Sequence, residues 1–366
     1  MRCWLLIAFL LTGCASVAEA QQDQPAPQDQ PAPQKRSEFK YSFAAIEDAT
    51  VLGGITGSES GFQNRILLEP AFTYRYDQRW SLASNLVGQA ETNGDTHEQL
   101  LLRETYGGLS AGDFDFTVGR RIIRWGTGYA FTTIGVLDPP LVPTDPTDRL
   151  NIREGRNMIK ADWVGGPQAI SVAWSTAAVS GAQSTLGHTT VFRYNVLANG
   201  FDTSLIAGHD TGGDSYGGLT FTKAIGQAWE LHGEAAWREQ AAALLGGKYT
   251  TSTGITTIIE FYSPPNIAYY RSSTLLPLVG RQHYGFLRMG KSRLRELPGW
   301  KKWDLYGSLV ANLDDHSRTL VLDVERRFGN HFSSYVHIEA PSGKKTSEYG
   351  AIPYASSNSI GIRFQL

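Results

Sequence analysis

The chain ends on Ser359-Ile360-Gly361-Ile362-Arg363-Phe364-Gln365-Leu366, where Ile360, Ile362, Phe364 and Leu366 alternate with Ser359, Gly361, Arg363 and Gln365. Successive side chains of an extended strand point to opposite faces, so this stretch has one apolar face and one polar face. The same period recurs upstream. Leu320, Leu322 and Val324 alternate with Val321, Asp323 and Glu325, and Phe332, Val336 and Ile338 with Tyr335, His337 and Glu339. Trp229, Leu231, Ala235 and Trp237 alternate with Glu230, His232, Glu234 and Arg238. From Glu38 to Leu366, about eighteen such segments (roughly sixteen to eighteen) of about ten residues follow one another.

Alternation alone does not separate a soluble sandwich from a membrane barrel, because both need two unlike faces. The connections do. One class is short, as at Asp77-Gln78-Arg79, Ala111-Gly112-Asp113, Gly165-Gly166-Pro167, Ala198-Asn199-Gly200, Ile225-Gly226-Gln227 and Gly329-Asn330. Aromatics follow closely: Trp80, Phe114, Phe201, Trp229 and Phe332. Aromatics at one end of successive strands describe an interfacial girdle. The other class is longer: 52–61, 127–156, 180–188, 264–280 and 341–356. Alternation of the two predicts an all-β transmembrane, antiparallel up-and-down barrel with both chain ends on the short-turn side. The mean hydropathy of −0.25 fits, since only every second residue would face lipid. Pro70, inside the strand Leu67 to Tyr76, is expected to mark a bulge.

Composition agrees. The chain has 366 residues with 39 glycines, 11% aromatics and only 19% charged residues, and a net charge of −2. No global field points to nucleic acid. Residues 1–20 read as a signal peptide: Arg2, an apolar run from Trp4 to Leu11, and Ala18-Glu19-Ala20 as the cleavage site. Leu11-Thr12-Gly13-Cys14 reads alternatively as a lipobox with lipidated Cys14. The two cysteines, Cys3 and Cys14, both fall in this leader. Residues 21–37 form a Gln/Pro-rich linker around a repeated Gln-Asp-Gln-Pro-Ala-Pro, and 38–366 the barrel.

A barrel of this size encloses an aqueous lumen, so function depends on what lines and narrows it. Inward parity assigns many charged residues to the lumen, Arg103 and Glu260 among them. The dense cluster is Phe114–Arg156. Its strand carries Asp115, Arg120, Arg121 and Arg124. The proline-punctuated segment after it carries Asp138, Asp145, Asp148, Arg149, Arg153, Glu154 and Arg156. Arg121 shares a face with Asp115 and Thr117, whereas Arg120 and Arg124 have the opposite parity. Departure from alternation at a charged stretch is a sign of function. The long loop after the fifth strand is expected to fold inward, setting its aspartates against the arginines.

Catalytic readings find no set of partners. Gly213-Asp214-Ser215-Tyr216-Gly217 matches a nucleophile elbow in letters, but it lies in a glycine-rich hairpin with no helix after it. His97-Glu98 has Leu101 where a zinc protease needs its second histidine. No enzyme activity, metal or cofactor is expected.

The stretch Val118-Gly119-Arg120-Arg121-Ile122-Ile123-Arg124-Trp125-Gly126 resembles a V-G-R-x-x-I-x-W-G strand of porin-like outer-membrane barrels of Gram-negative bacteria. In those barrels a long Pro/Asp loop follows it. The strand rhythm extends the resemblance over about Glu38–Leu366. The resemblance implies an outer-membrane location and passive or facilitated passage of small polar solutes through a charged constriction. It also implies assembly-machinery recognition of the last strand through Phe364 and Leu366, contact with membrane lipids, and association of copies as an option. The alternative is a closed or narrow barrel serving an envelope system that transports lipids or hydrophobic compounds, tethered by Cys14.

Overall fold

The computed structural model describes residues 37–54, 61–93, 95–134, 137, 141, 143–144, 153–176, 188–211, 215–237, 240–264, 283–294 and 299–366. Its strands are β1 (Ser37–Gly53), β2 (Phe62–Tyr76), β3 (Trp80–Asn93), β4 (Asp95–Ala111), β5 (Phe114–Arg121) and β6 (Arg156–Gly165). There follow β7 (Gln168–Ser175), β8 (Thr189–Ala198), β9 (Phe201–Asp210), β10 (Ser215–Ile225), β11 (Trp229–Trp237) and β12 (Ala241–Thr250). The last six are β13 (Thr256–Ser263), β14 (Tyr284–Lys291), β15 (Trp303–Asn312), β16 (Arg318–Phe328), β17 (Phe332–Ser342) and β18 (Ser356–Gln365). Each strand pairs antiparallel with its sequence neighbours, and β18 returns to pair with β1. The result is a closed 18-stranded sheet, as the alternation predicts.

The faces sort as the period requires. Leu320, Leu322, Ile360, Ile362, Ile259, Leu245 and Val118 are exposed on the outside, whereas Asp323, Glu260, His232, Asp304 and Asp48 are buried on the inside. Rings ride the short-turn rim: Trp229 lies 4.5 Å from Tyr249, Trp300 5.0 Å from Trp303, and Phe332 4.9 Å from Phe364. Tight turns there need left-handed backbone, and Gly112, Gly166, Gly200, Gly226 and Gly329 supply it with φ between 59 and 76°.

Two expectations change. The connections at the opposite rim are mixed in length: β3–β4, β9–β10, β11–β12 and β15–β16 are joined there as closely as strands at the short-turn rim. An antiparallel pair needs only a tight hairpin, so extra length is a feature of particular loops and not of the rim. Pro70 produces no bulge on β2. Leu68 faces Gly88 and Ala71 faces Asn85 in one unbroken register. The missing N–H interrupts the ladder without shifting it. The register shift lies on the next pair, where Asn85 faces Glu104 and Leu86 faces Leu102, leaving Arg103 as the extra residue on β4.

The seam between first and last strands is tied inside the barrel. Tyr335 on β17 and Asp48 on β1 are both in register with Gly361 of β18. A Cβ on Gly361 would stand 2.3 Å from Cζ of Tyr335, so the phenol passes over the glycine. It donates to Asp48 Oδ2 at 2.9 Å. Thr50 donates to Asp48 Oδ1 at 3.0 Å and shares a 2.7 Å hydrogen bond with Ser359.

Candidate functional site

At the end of β5 the chain leaves the wall. The N–H of Ile122 donates to Glu104 Oε1 at 2.8 Å, and the returning chain is fixed by Gly155 N–H donating to the Arg103 carbonyl at 2.8 Å. The bulge at Arg103 thus sits where the loop departs and returns. Between these points, residues 122–134 run inward to β11 and β13, nearly half-way round the ring.

Two wall carboxylates receive the loop. Glu234 of β11 accepts from the backbone N–H groups of Thr127 (2.5 Å), Gly128 (2.9 Å) and Thr133 (2.6 Å). It also accepts from the hydroxyls of Thr132 and Thr133, both at 3.0 Å. Glu260 of β13 accepts from Tyr129 N–H (2.5 Å) and Ala130 N–H (2.8 Å). Glu234 and Glu260 are 4% and 1% exposed. Burying an ionised carboxylate is costly unless several donors replace its water, and the loop backbone supplies them. Gly126 and Gly128 permit the approach. A Cβ on Gly126 would stand 2.9 Å from Glu234 Oε1, and one on Gly128 2.0 Å from the Phe131 carbonyl oxygen.

The neighbouring strands complete the cradle. His232, Gly246 and Glu260 lie in one register row across β11, β12 and β13. His232 Nε2 reaches over Gly246 to Glu260 Oε1 at 2.9 Å. Since that oxygen accepts, Nε2 carries the proton. Tyr129 donates its phenol to Glu230 at 2.8 Å and accepts from Lys248 Nζ at 2.9 Å. Phe131 stacks on Tyr262 at 4.8 Å, with Tyr284 and Phe286 beside it. On the other flank Ile123, Trp125, Ile134 and Leu137 pack with Met158, Ala173, Val191, Ile206 and Tyr216 of β6 to β10. A second inward segment, the 3₁₀ turn Tyr349–Ala351 between β17 and β18, packs its Tyr349 with Ala130, Ile258, Phe286 and Val310.

The residues singled out from sequence fall in different places. Arg121 donates to Thr117 at 3.0 Å and lies 4.7 Å over the Tyr106 ring, on the face parity assigns it. Arg120 is turned to Asn157 Oδ1 (3.2 Å), the Leu102 carbonyl (3.1 Å) and Glu154 (3.8 Å). Arg124 closes on the loop itself, donating to the Gly128 carbonyl. Arg103 pairs with Glu69 at 2.8 Å, Asp115 accepts from Ser110 at 2.5 Å, and Arg156 is buried opposite Arg121 in the ladder. Arg153 and Glu154 lie on the returning chain. Asp138, Asp145, Asp148, Arg149 and Cys14 lie outside the described residues, as do the leader and linker. Glu260 grips the middle of the loop, and Arg103 holds its returning end through the backbone. Alternation gives Glu234 its inward side but not its role, and it gives Tyr129 and Lys248 no role at all. The available signal was local: two glycines in Trp125-Gly126-Thr127-Gly128, and Gly246 at an inward position of β12.

Basic side chains gather on the wall between β5 and β8. Lys160 of β6 contacts Asp162 and lies within electrostatic range of Arg121 and Arg193. Arg193 of β8 donates to Ser204 at 3.0 and 2.9 Å and sits 5.8 Å over the ring of Trp125.

No protein-family model and no curated protein sequence matches the chain. Solved structures do match in fold. Pseudomonas aeruginosa OccK5 (OpdH) superposes with a TM-score of 0.60 at 8% identity, covering 90% of this chain and 98% of that one. Acinetobacter baumannii OccAB3 gives 0.59 at 6% identity, covering 90% and 99%. Escherichia coli Wzi, an outer membrane protein involved in group 1 capsule assembly and a carbohydrate-binding β-barrel, gives 0.56 at 9% identity, covering 88% and 84%. At these identities the likeness is one of fold.

Proposed function

We propose that the chain is a porin-like channel of a Gram-negative outer membrane, passing small polar solutes through a charged constriction. The observation that carries this reading is a closed barrel, apolar outside and charged inside, with one loop laid across its lumen onto Glu234 and Glu260. An open lumen would expose such a charged wall to water, and a crossing loop narrows the path to a size that selects. Arg121, Lys160 and Arg193 would form the basic side of the path, and Asp138, Asp145 and Asp148 of the loop its acidic side. A transverse field of that kind orients dipolar solutes as they pass. The leader delivers the chain to the envelope, and the last strand offers Phe364 and Leu366 to the assembly machinery. The test is conductance of the purified protein in planar bilayers, before and after deletion of residues 133–148. A protein that passes no ions in either form ends the channel reading.

A second reading is a closed barrel serving envelope transport of hydrophobic compounds. The packing of Ile123, Trp125, Ile134 and Leu137 against five strands favours it. Acylated Cys14 at the mature N-terminus, read by mass spectrometry, together with absent conductance, would support it over the channel.

A further inference from the structure

We propose that Glu234 and Glu260 are positioning residues that hold the inward loop as a detachable strap, so that two wall carboxylates set the working width of the lumen. The proposal rests on the channel reading and goes beyond it by assigning the constriction's position to residues outside the loop. Three observations carry it. The grip is mainly on backbone: Thr127, Gly128, Tyr129, Ala130 and Thr133 each offer an N–H to one of the two carboxylates. Such a grip fixes where the chain lies whatever its side chains are. The strap's two ends have separate ties, Ile122 to Glu104 and Gly155 to Arg103, so the middle can leave while the ends stay. The wall needs nothing from the strap to persist, because β11, β12 and β13 are fully laddered to one another.

Buried carboxylates are weak contributors to stability compared with apolar packing of the same volume. Their distinctive property is the asymmetry of losing one. Removing the acceptor leaves several buried N–H groups without partners, which favours release of the chain into water. Glu234 and Glu260 thereby make docking of the strap conditional on two side chains.

The test uses the full exported protein, in which both natural cysteines lie within the first twenty residues. Ala130→Cys places a thiol where the native side chain is 2% exposed, and its rate of maleimide labelling reports strap release without reference to conduction. Adding Glu234→Ala and Glu260→Ala should raise that rate roughly tenfold or more, as loss of charge-assisted hydrogen bonds implies. Single-channel conductance should rise in the double alanine variant. It should return to the starting value when Phe131→Cys and Tyr262→Cys, whose native rings are 4.8 Å apart, are joined by a short bifunctional thiol reagent. If the double variant does not fold, the single Glu260→Gln is read the same way. Unchanged labelling in a folded variant overturns the strap. Faster labelling in a protein that never conducts upholds the strap and removes the channel.

Discussion

His232 and Glu260 meet across a glycine: Nε2 stands 2.9 Å from Oε1, and Gly246 holds the register position between them on β12. A Cβ at Gly246 would stand 2.2 Å from Nε2 and 2.9 Å from Cγ of Glu260. Gly246→Val therefore has to part the pair. The expected result is a folded barrel with higher conductance and a stability loss of about 1–3 kcal/mol, the usual cost of stranding a buried polar group. Thermal unfolding and bilayer recordings on the same preparation check both halves.

The seam uses the same device. Tyr335→Phe removes the phenol that crosses Gly361 to Asp48 and leaves that buried carboxylate one donor short. Destabilisation of about 1–3 kcal/mol is expected, with no change of conductance, since the carboxylates that hold the strap stand on β11 and β13, whereas the seam is made by β17, β18 and β1. Urea unfolding in detergent measures the first, and a conductance change of any size would contradict the second.

The outer face tests the membrane reading directly. Leu322 points outward in the middle of β16, whereas its neighbour Asp323 is buried inside. Leu322→Arg should destabilise the barrel in lipid vesicles by about 2–4 kcal/mol if that position lies near the bilayer midplane. Loss of less than a few tenths would mean that this face meets water and not lipid.

Acidity should act on the second inward segment. Burial holds the Glu348 carboxyl above its ordinary value of 4.5, against the lowering effect of hydrogen bonds with Asn312 and Tyr284. A folded value above the unfolded one means that Glu348's contribution is fully present below the unfolded value and lost as pH rises through the folded one. Asp314 has the opposite sign. Its hydrogen bond with His283 holds it below 3.8, so its contribution is lost as pH falls through that lowered value. Hydrogen-exchange protection factors across 343–354, corrected for the intrinsic pH dependence of exchange, should therefore rise on mild acidification from neutral pH, and Glu348→Gln should flatten that response.

The basic cluster gives a selectivity prediction. Arg121→Gln with Lys160→Gln removes two cations of the proposed basic side and leaves Asp162 in place. Reversal potentials in a salt gradient should move toward cation preference. A shift toward anions would show that solutes travel elsewhere in the lumen.

The amino-acid sequence by itself determined the wall. Strand pleating turns every second side chain outward, so Ile360, Leu322 and Leu231 announce outward-facing positions from their immediate neighbours alone. It also marked Arg121's inward side and the loop that leaves after β5. It did not reveal what the loop would touch. Glu234 and Thr133 are 101 residues apart, and an inward glutamate that grips a backbone looks, in one dimension, like one that meets water. Only closure of the barrel brought β11 and β13 opposite the end of β5, and only the register row through Gly246 cleared the space for His232 to meet Glu260. Local period is a property of the backbone, whereas the site is a property of distances across the lumen, which exist once the ring has closed.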